Sequence, residues 1–339
     1  MVSKIILEEH VSTPRNNELW DSVGESTRNG ADYMSLVEAD LLDVDRRVAT
    51  LKKYDVGYSI ISLTSPGIQG IEDGALATEV AIDANDYVKT NYVDKHPESL
   101  GFFAAVALQQ PEGAAAELRR AVKELGAHGA LINGYYNVAG HDGGVYLDSE
   151  DALPFWQEVA ELGVPIYLHP REARPSVQSL YEPYTSLVGS AWGFAHETAT
   201  HALRLIMSGL FDRFPDIQII LGHQAEGLPL MIPRVAHRLR KQRQGSGLGN
   251  NEQPVEEYFH NNFYATTAGH FHTKSLYNTM LELGTDRTLF SIDYPYEDIE
   301  EGATWFDNAL LAENDRIKIG RTNAIRLFGL RDDIGKTGA

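Results

Sequence analysis

Ile5-Ile6-Leu7-Glu8-Glu9-His10 is an apolar run that ends in Glu8 and His10, two side chains able to ligate a metal, one residue apart. In a strand, alternate side chains share a face, so Glu8 and His10 point one way and Glu9 the other. Three later runs end alike: Val164-Pro165-Ile166-Tyr167-Leu168-His169, Ile217-Gln218-Ile219-Ile220-Leu221-Gly222-His223 and Thr288-Leu289-Phe290-Ser291-Ile292-Asp293. If these strands are neighbours in one closed sheet, Glu8, His10, His169, His223 and Asp293 surround a single point.

The rest of the chain supports closure. Apolar runs at 4–7, 58–63, 100–108, 129–132, 164–168, 217–221, 262–266 and 288–292 are separated mostly by helical stretches such as 41–54, 75–95, 111–125 and 194–211. Such alternation predicts a parallel sheet with crossover helices. Eight units predict an α/β fold of (β/α)8 TIM-barrel type, with its site at the C-terminal ends of the strands. The first strand is not followed by a glycine-rich dinucleotide fingerprint, which disfavours an open Rossmann sheet. One catalytic domain is expected over 1–330, with loop insertions at about 11–40 and 170–193 and a loose tail at 331–339. Residues 11–40 show no clean period and read as an irregular excursion over the site, with Trp20 and Tyr33 as pocket-lining candidates. Residues 133–144 read as a glycine-rich loop.

Composition narrows the chemistry. The 339 residues carry 48 acidic and 29 basic side chains, a formal charge of -19, which argues against a nucleic-acid partner. Cysteine is absent, so disulfides and thiolate catalysis are excluded and any transition metal is held by nitrogen and oxygen. With no 18-residue apolar run and no basic start followed by an apolar segment, neither a membrane span nor a signal peptide is expected, and the cytoplasm is the expected location.

Glu8, His10, His169 and Asp293 offer two carboxylates and two imidazoles, a set suited to a divalent cation and leaving a nearly neutral shell that an anionic substrate can approach. The plainer alternative is four separately hydrogen-bonded strand-end residues. His223 lies in Gly222-His223-Gln224-Ala225-Glu226-Gly227. It is either a fifth ligand or a proton shuttle with Glu226 on its second nitrogen; the residues alone leave both open. Arg171, just after His169-Pro170, could pair with a substrate carboxylate or with a neighbouring acid. Arg234, His237 and Arg238 share a helix face, as a solvated or subunit-facing patch.

Taken together and in this order, Leu7-Glu8-Glu9-His10, Tyr167-Leu168-His169-Pro170-Arg171, Ile220-Leu221-Gly222-His223-Gln224-Ala225-Glu226-Gly227 and Phe290-Ser291-Ile292-Asp293-Tyr294-Pro295-Tyr296-Glu297 resemble the amidohydrolase superfamily, in its branch of non-oxidative aromatic acid decarboxylases. Within that branch the resemblance is greatest to the γ-resorcylate (2,6-dihydroxybenzoate) type, with similarity also to the 2,3-dihydroxybenzoate type. The resemblance implies one Zn2+ or Mn2+ ion on Glu8, His10, His169 and Asp293, and no organic cofactor. Glu8-x-His10 in place of His-x-His, and Asn133 in place of a bridging lysine, favour one metal over two. The resemblance further implies catalysis by Asp293 as proton donor with His223 and Glu226, and weaker substrate contacts from Trp20, Asn133, Arg171, Arg234 and Tyr296. It implies reversible decarboxylation of a small aromatic carboxylate with an ortho hydroxyl, 2,6-dihydroxybenzoate before 2,3-dihydroxybenzoate or salicylate, by a homotetramer or homodimer. The competing readings are a metal-dependent hydrolase on the same barrel and a non-catalytic small-molecule binding protein.

Overall fold

Alternation along the strands sorts their side chains into an inner and an outer layer. Ile5, Leu7, Tyr58, Ile60, Phe103, Leu131, Tyr167, Ile220, Tyr264 and Leu289 form one buried cluster inside the ring of strands. Their sequence neighbours Ile61, Phe102, Ile132, Leu168, Leu221 and Ala265 belong to a second cluster shared with the surrounding helices. In the computed structural model, which describes residues 3–20, 30–242, 245 and 247–336, the strands are β1 (Lys4–Val11), β2 (Val56–Leu63), β3 (Leu100–Phe102), β4 (Ala130–Asn133), β5 (Tyr136–Val138), β6 (His141–Val145), β7 (Ile166–His169), β8 (Ile219–Leu221), β9 (Phe263–Thr266) and β10 (Thr288–Leu289).

Two parallel arcs, β1-β2-β3 and β10-β9-β8-β7-β4, make the barrel. A single parallel bridge, Ala104 to Ala130, joins the arcs on one side. On the other, the backbone N–H of Asp293 donates to Glu8 O at 2.9 Å and that of His10 to Tyr294 O at 2.7 Å. This is the α/β barrel expected from the eight runs, in a distorted form. Its regular pairing is shorter than the runs suggested: the third covers three residues and the last covers two. Along β1 the register slips between Ile6 and Glu9, so that Leu7 packs in the interior while Glu8 also faces inward. Glu9 faces out, as alternation required.

Three expectations need correction. The excursion at 11–40 is not irregular where described, since it carries helices Pro14–Trp20 and Ala31–Leu42. Only Val37 and Leu41 of the second are buried, too few to leave a clear apolar period. The 133–144 loop folds into the antiparallel hairpin β5-β6. The tail is docked through Lys336: Ile334 joins the barrel-interior cluster, Arg321 donates to Asp332 O and Ile334 O at 2.9 and 2.7 Å, and Ser3 donates to Gly335 O at 2.9 Å. Its carbonyls thus meet a buried arginine 11 and 13 positions earlier in the chain.

One buried histidine ties stability to pH. His201 accepts from Leu147 N–H at 3.0 Å through Nε2 and packs against Tyr146. Burial, aided by Arg204, pushes its imidazole down to about 3. The folded state therefore binds fewer protons than the unfolded one between that value and an ordinary histidine pKa near 6.5, and stability falls as pH falls across this window. From pH 7 to pH 5 this one group accounts for a loss of about 2 kcal/mol. In His201→Gln, whose amide oxygen can accept the same bond without titrating, the pH 7-to-5 loss in denaturant unfolding should be smaller by about that amount. An unchanged loss would remove His201 as its source.

Candidate metal centre

Glu8 and His10 from β1, His169 from the end of β7 and Asp293 beyond β10 offer one nitrogen or oxygen each, all within 4.8 Å of one another. His10 Nε2 stands 3.1 Å from Asp293 Oδ1, and His169 Nε2 stands 3.6 Å from Glu8 Oε1. The far side of each group is already engaged. His169 Nδ1 donates to Asn133 Oδ1 at 2.8 Å, and His10 Nδ1 lies 3.5 Å from Ser62 Oγ. Glu8 Oε2 accepts from Tyr167 OH and, at 3.0 Å, from Thr266 Oγ1. The Asn133 oxygen fixes the His169 tautomer, and both Nε2 atoms face the centre.

What remains fits a cation. Glu8 Oε1, His10 Nε2 and Asp293 Oδ1 are buried without hydrogen-bond partners, and buried polar atoms are rarely left so. Burial, together with the charge of Asp293, pushes the Glu8 carboxyl up to about 8. Burial would also raise Asp293, but the neighbouring imidazoles of His10 and His223 outweigh it and hold its carboxyl below the usual range. Burial and the neighbouring His10 push His169 well down, leaving a neutral imidazole suited to ligation. A single divalent ion on Glu8, His10, His169 and Asp293 satisfies all four.

His223 sits beside this quartet. Its Nε2 is 3.5 Å from Asp293 Oδ2 and 3.8 Å from Glu8 Oε1, while its Nδ1 donates to Glu226 Oε1 at 2.8 Å. Burial lowers its pKa, but the carboxylates of Glu226, Glu8 and Asp293 outweigh this and raise it well above the ordinary value. The pair meets because 223–226 forms one left-handed turn: His223, Gln224, Ala225 and Glu226 have φ of 51°, 60°, 55° and 55°. Each non-glycine residue in that region costs about 1–2 kcal/mol, a strain typical of functional sites. The bracketing Gly222 and Gly227 were the visible signal; the handedness was not.

A cavity of ≈ 290 Å³ opens over the quartet, with His169, His223 and Asp293 at its base and Tyr33, Phe194, Tyr296 and Glu297 among its walls. Neither Lys nor Arg lines it among the described residues. Ser65, Phe194 and Tyr296 also border an outer cavity of ≈ 610 Å³. Tyr296 thus stands where a substrate contact was expected, and Tyr33 lines a pocket as anticipated, its OH donating to Tyr296 O at 3.1 Å. Trp20 and Arg171 line only the outer cavity. The Arg171 guanidinium is turned to Tyr135 O at 2.8 Å and stacks on the Tyr135 ring, so it braces the wall. Asn133 is engaged by His169, and Arg234 lies on the exposed side of helix Leu228–Lys241, away from both cavities. Tyr167, Thr266 and Glu297 were missed as site residues. Tyr167 reads as plain barrel core, and only its hydroxyl, at the level of Glu8, separates it from Ile220.

Residues 49–330 match the family model described as Amidohydrolase. The chain is 43% identical over 334 residues to the γ-resorcylate decarboxylase of Rhodococcus jostii (strain RHA1), covering 97% of this chain and 99% of that one. Among solved structures, it is similar to a 2,6-dihydroxybenzoate decarboxylase complexed with 2,6-dihydroxybenzoate (TM-score 0.92, 41% identity, 97% and 100% of the two chains). It is equally similar to the dihydroxybenzoic acid decarboxylase of Polaromonas sp. JS666 with bound manganese and the inhibitor 2-nitroresorcinol (TM-score 0.92, 41% identity, 100% of both chains).

Gly222 supplies a test of the centre. A Cβ there would stand 2.6 and 2.7 Å from the two carboxylate oxygens of Glu8, although its φ of -72° suits any residue. Gly222→Ala should therefore displace Glu8 without backbone strain and weaken metal binding roughly tenfold or more. Elemental analysis after dialysis should find about one metal per chain in the wild type and clearly less in the variant; equal contents would count against Glu8 as a ligand.

Proposed function

The chain belongs to the amidohydrolase family, in its non-oxidative decarboxylase branch, and on that premise we propose that it is a metal-dependent carboxy-lyase converting 2,6-dihydroxybenzoate to resorcinol and carbon dioxide. The observation that carries this reading is the buried quartet of ligands at the base of a cavity sized for one substituted ring, with His223 poised beside Asp293. Pockets for drug-sized ligands start near 300 Å³, so a single small aromatic acid is the natural occupant.

A divalent ion held by the quartet supplies Lewis acidity, attracting anionic oxygen and favouring loss of an ortho-hydroxyl proton. The remaining work falls to side chains. Phe194 and Tyr296, in the cavity walls, would flank the ring and keep water from its faces. Among the described residues the cavity lining has no Lys or Arg, so the substrate carboxylate is anchored by the centre itself and the imidazoles beside it. Glu226 holds His223 with Nε2 toward Asp293, so a proton on Nε2 can pass to Asp293 Oδ2. Asp293 delivers that proton to the ring carbon bearing the carboxylate. The ring gives up an electron pair to form this C–H bond, and the ortho oxygen stabilises the dearomatised ring. The C–C bond to the carboxylate then breaks, its electrons restore the ring, and carbon dioxide leaves. One proton is consumed and no redox change occurs, so the sequence of events can run backward at high bicarbonate. The chain works as a homotetramer or homodimer in this reading; exposed Leu230 and Met231, on the helix that carries Arg234, supply apolar area for such an assembly to cover.

The reading makes the ortho hydroxyl essential. Manganese-loaded protein should release carbon dioxide from 2,6-dihydroxybenzoate while leaving benzoate and 4-hydroxybenzoate untouched, followed by ring absorbance and carbon dioxide evolution. Chelation should abolish turnover and Mn2+ restore it. Comparable turnover of 4-hydroxybenzoate would refute the requirement.

A second variant separates shuttle from ligand. His223→Asn should keep about one metal per chain and lose turnover by roughly 10²-fold or more. Metal content and turnover measured on one sample decide the matter: parallel loss of both would move His223 into the ligand set.

A further inference from the structure

We propose that Glu9, the acid in Glu8-Glu9-His10 that faces away from the centre, is a positioning residue that holds Asp293 in its ligand geometry. Among the described residues, β1 and β10 share no ladder pair. Regular pairing of β10 ends at Leu289, so the backbone from Phe290 to Tyr294 runs beside β1 with amides that need other acceptors. Glu9 provides two. Its Oε1 accepts from Ile292 N–H at 3.0 Å and its Oε2 from Tyr294 N–H at 3.1 Å. One carboxylate therefore clasps the chain on both sides of Asp293.

Asp293 needs such a clasp. Its φ is 83°, a left-handed conformation for a non-glycine residue, which persists only where the surroundings over-determine it. Asp293 N–H itself donates to Glu8 O at 2.9 Å, so three consecutive amides, 292 to 294, are fixed by two consecutive residues of β1. In this conformation Asp293 turns Oδ1 to His10 and Oδ2 to His223. Arg47, fully buried, ties the same two segments: it donates to His10 O and lies over the Tyr294 ring at 4.7 Å. Alternation along β1 thus gives each residue of the triplet a task, with Glu8 and His10 binding the ion while Glu9 shapes the fourth ligand. A glutamine at position 9 can accept at one amide but sets its own NH2 against the other.

This inference rests on the metal centre and not on the identity of the substrate, so its test reads Mn2+ binding alone. Wild type, Glu9→Gln and Ser291→Ala are compared by Mn2+ titration followed by EPR, with thermal unfolding on the same samples. Ser291→Ala is the control because Ser291 Oγ accepts from Leu7 N–H at 2.9 Å, a contact on the same seam that does not touch residues 292 to 294. Glu9→Gln should bind Mn2+ about 10- to 100-fold more weakly and change the bound-ion spectrum, whereas Ser291→Ala should lose thermal stability yet bind within about twofold of wild type. If Glu9→Gln does not fold, Glu9→Asp, which keeps the charge on a shorter arm, is read in its place. Unchanged Mn2+ affinity in the Glu9 variant, equal weakening in Ser291→Ala, or failure of both Glu9 variants to fold would each overturn the proposal.

Discussion

The centre depends on how the barrel closes. Glu8 and His10 leave one edge of the ring and Asp293 leaves the other, and the two backbone bonds Asp293 N–H to Glu8 O and His10 N–H to Tyr294 O set them against each other. A slip of one residue at this seam would exchange inward and outward faces, burying Glu9 in the barrel and expelling Glu8. His169 reaches the same point from β7, where it pairs in register with Asn133 of β4 and places its ring 4.5 Å from that of His10. The ligands come from opposite sides of a closed circumference, which an open sheet of the same strands would keep apart.

Closure has an electrostatic consequence. Two carboxylates and two imidazoles end up largely buried at the base of a cavity, and isolated buried charges are costly. Glu8 is partly compensated by Tyr167 and Thr266, yet three atoms keep unmet hydrogen-bonding capacity pointed at one another. The core and the site are not separate layers here: Tyr167 packs against Phe103 in the barrel interior and donates its hydroxyl to Glu8. The ion is thus coupled to stability, because without it the folded state keeps a cluster of unsatisfied charges.

A second cost is conformational. Four successive residues in the left-handed turn at 223–226, and Asp293 at φ 83°, are held against their intrinsic preference. Glycines allow close approach where these segments meet the ligands. A Cβ at Gly269 would stand 3.0 Å from the His223 ring and 3.3 Å from Asp293 Oδ2, and one at Gly222 would strike Glu8. Strain and close packing coincide at one end of the barrel, where the polar groups converge.

The amino-acid sequence by itself determined the eight apolar runs, the acids and histidines at their ends, and the opposition of Glu9 to Glu8 and His10, because strand alternation and residue chemistry are local properties. It did not reveal helix Ala31–Leu42, whose exposed position leaves almost no apolar stripe, nor the docked tail, whose anchor Arg321 acts through main-chain carbonyls that carry no sequence signature. It could place Asn133 and Arg171 near the site but not say what they touch. Asn133 meets His169 because β4 and β7 are neighbours in register, and Arg171 turns to Tyr135, whose carbonyl and ring hold its guanidinium. Whether Glu9 would find two amides, and whether His223 would reach Glu226 or the ligand cluster, was decided only by the tertiary structure, since both depend on the register at which two distant edges of the sheet close and on backbone angles that side-chain identity does not set.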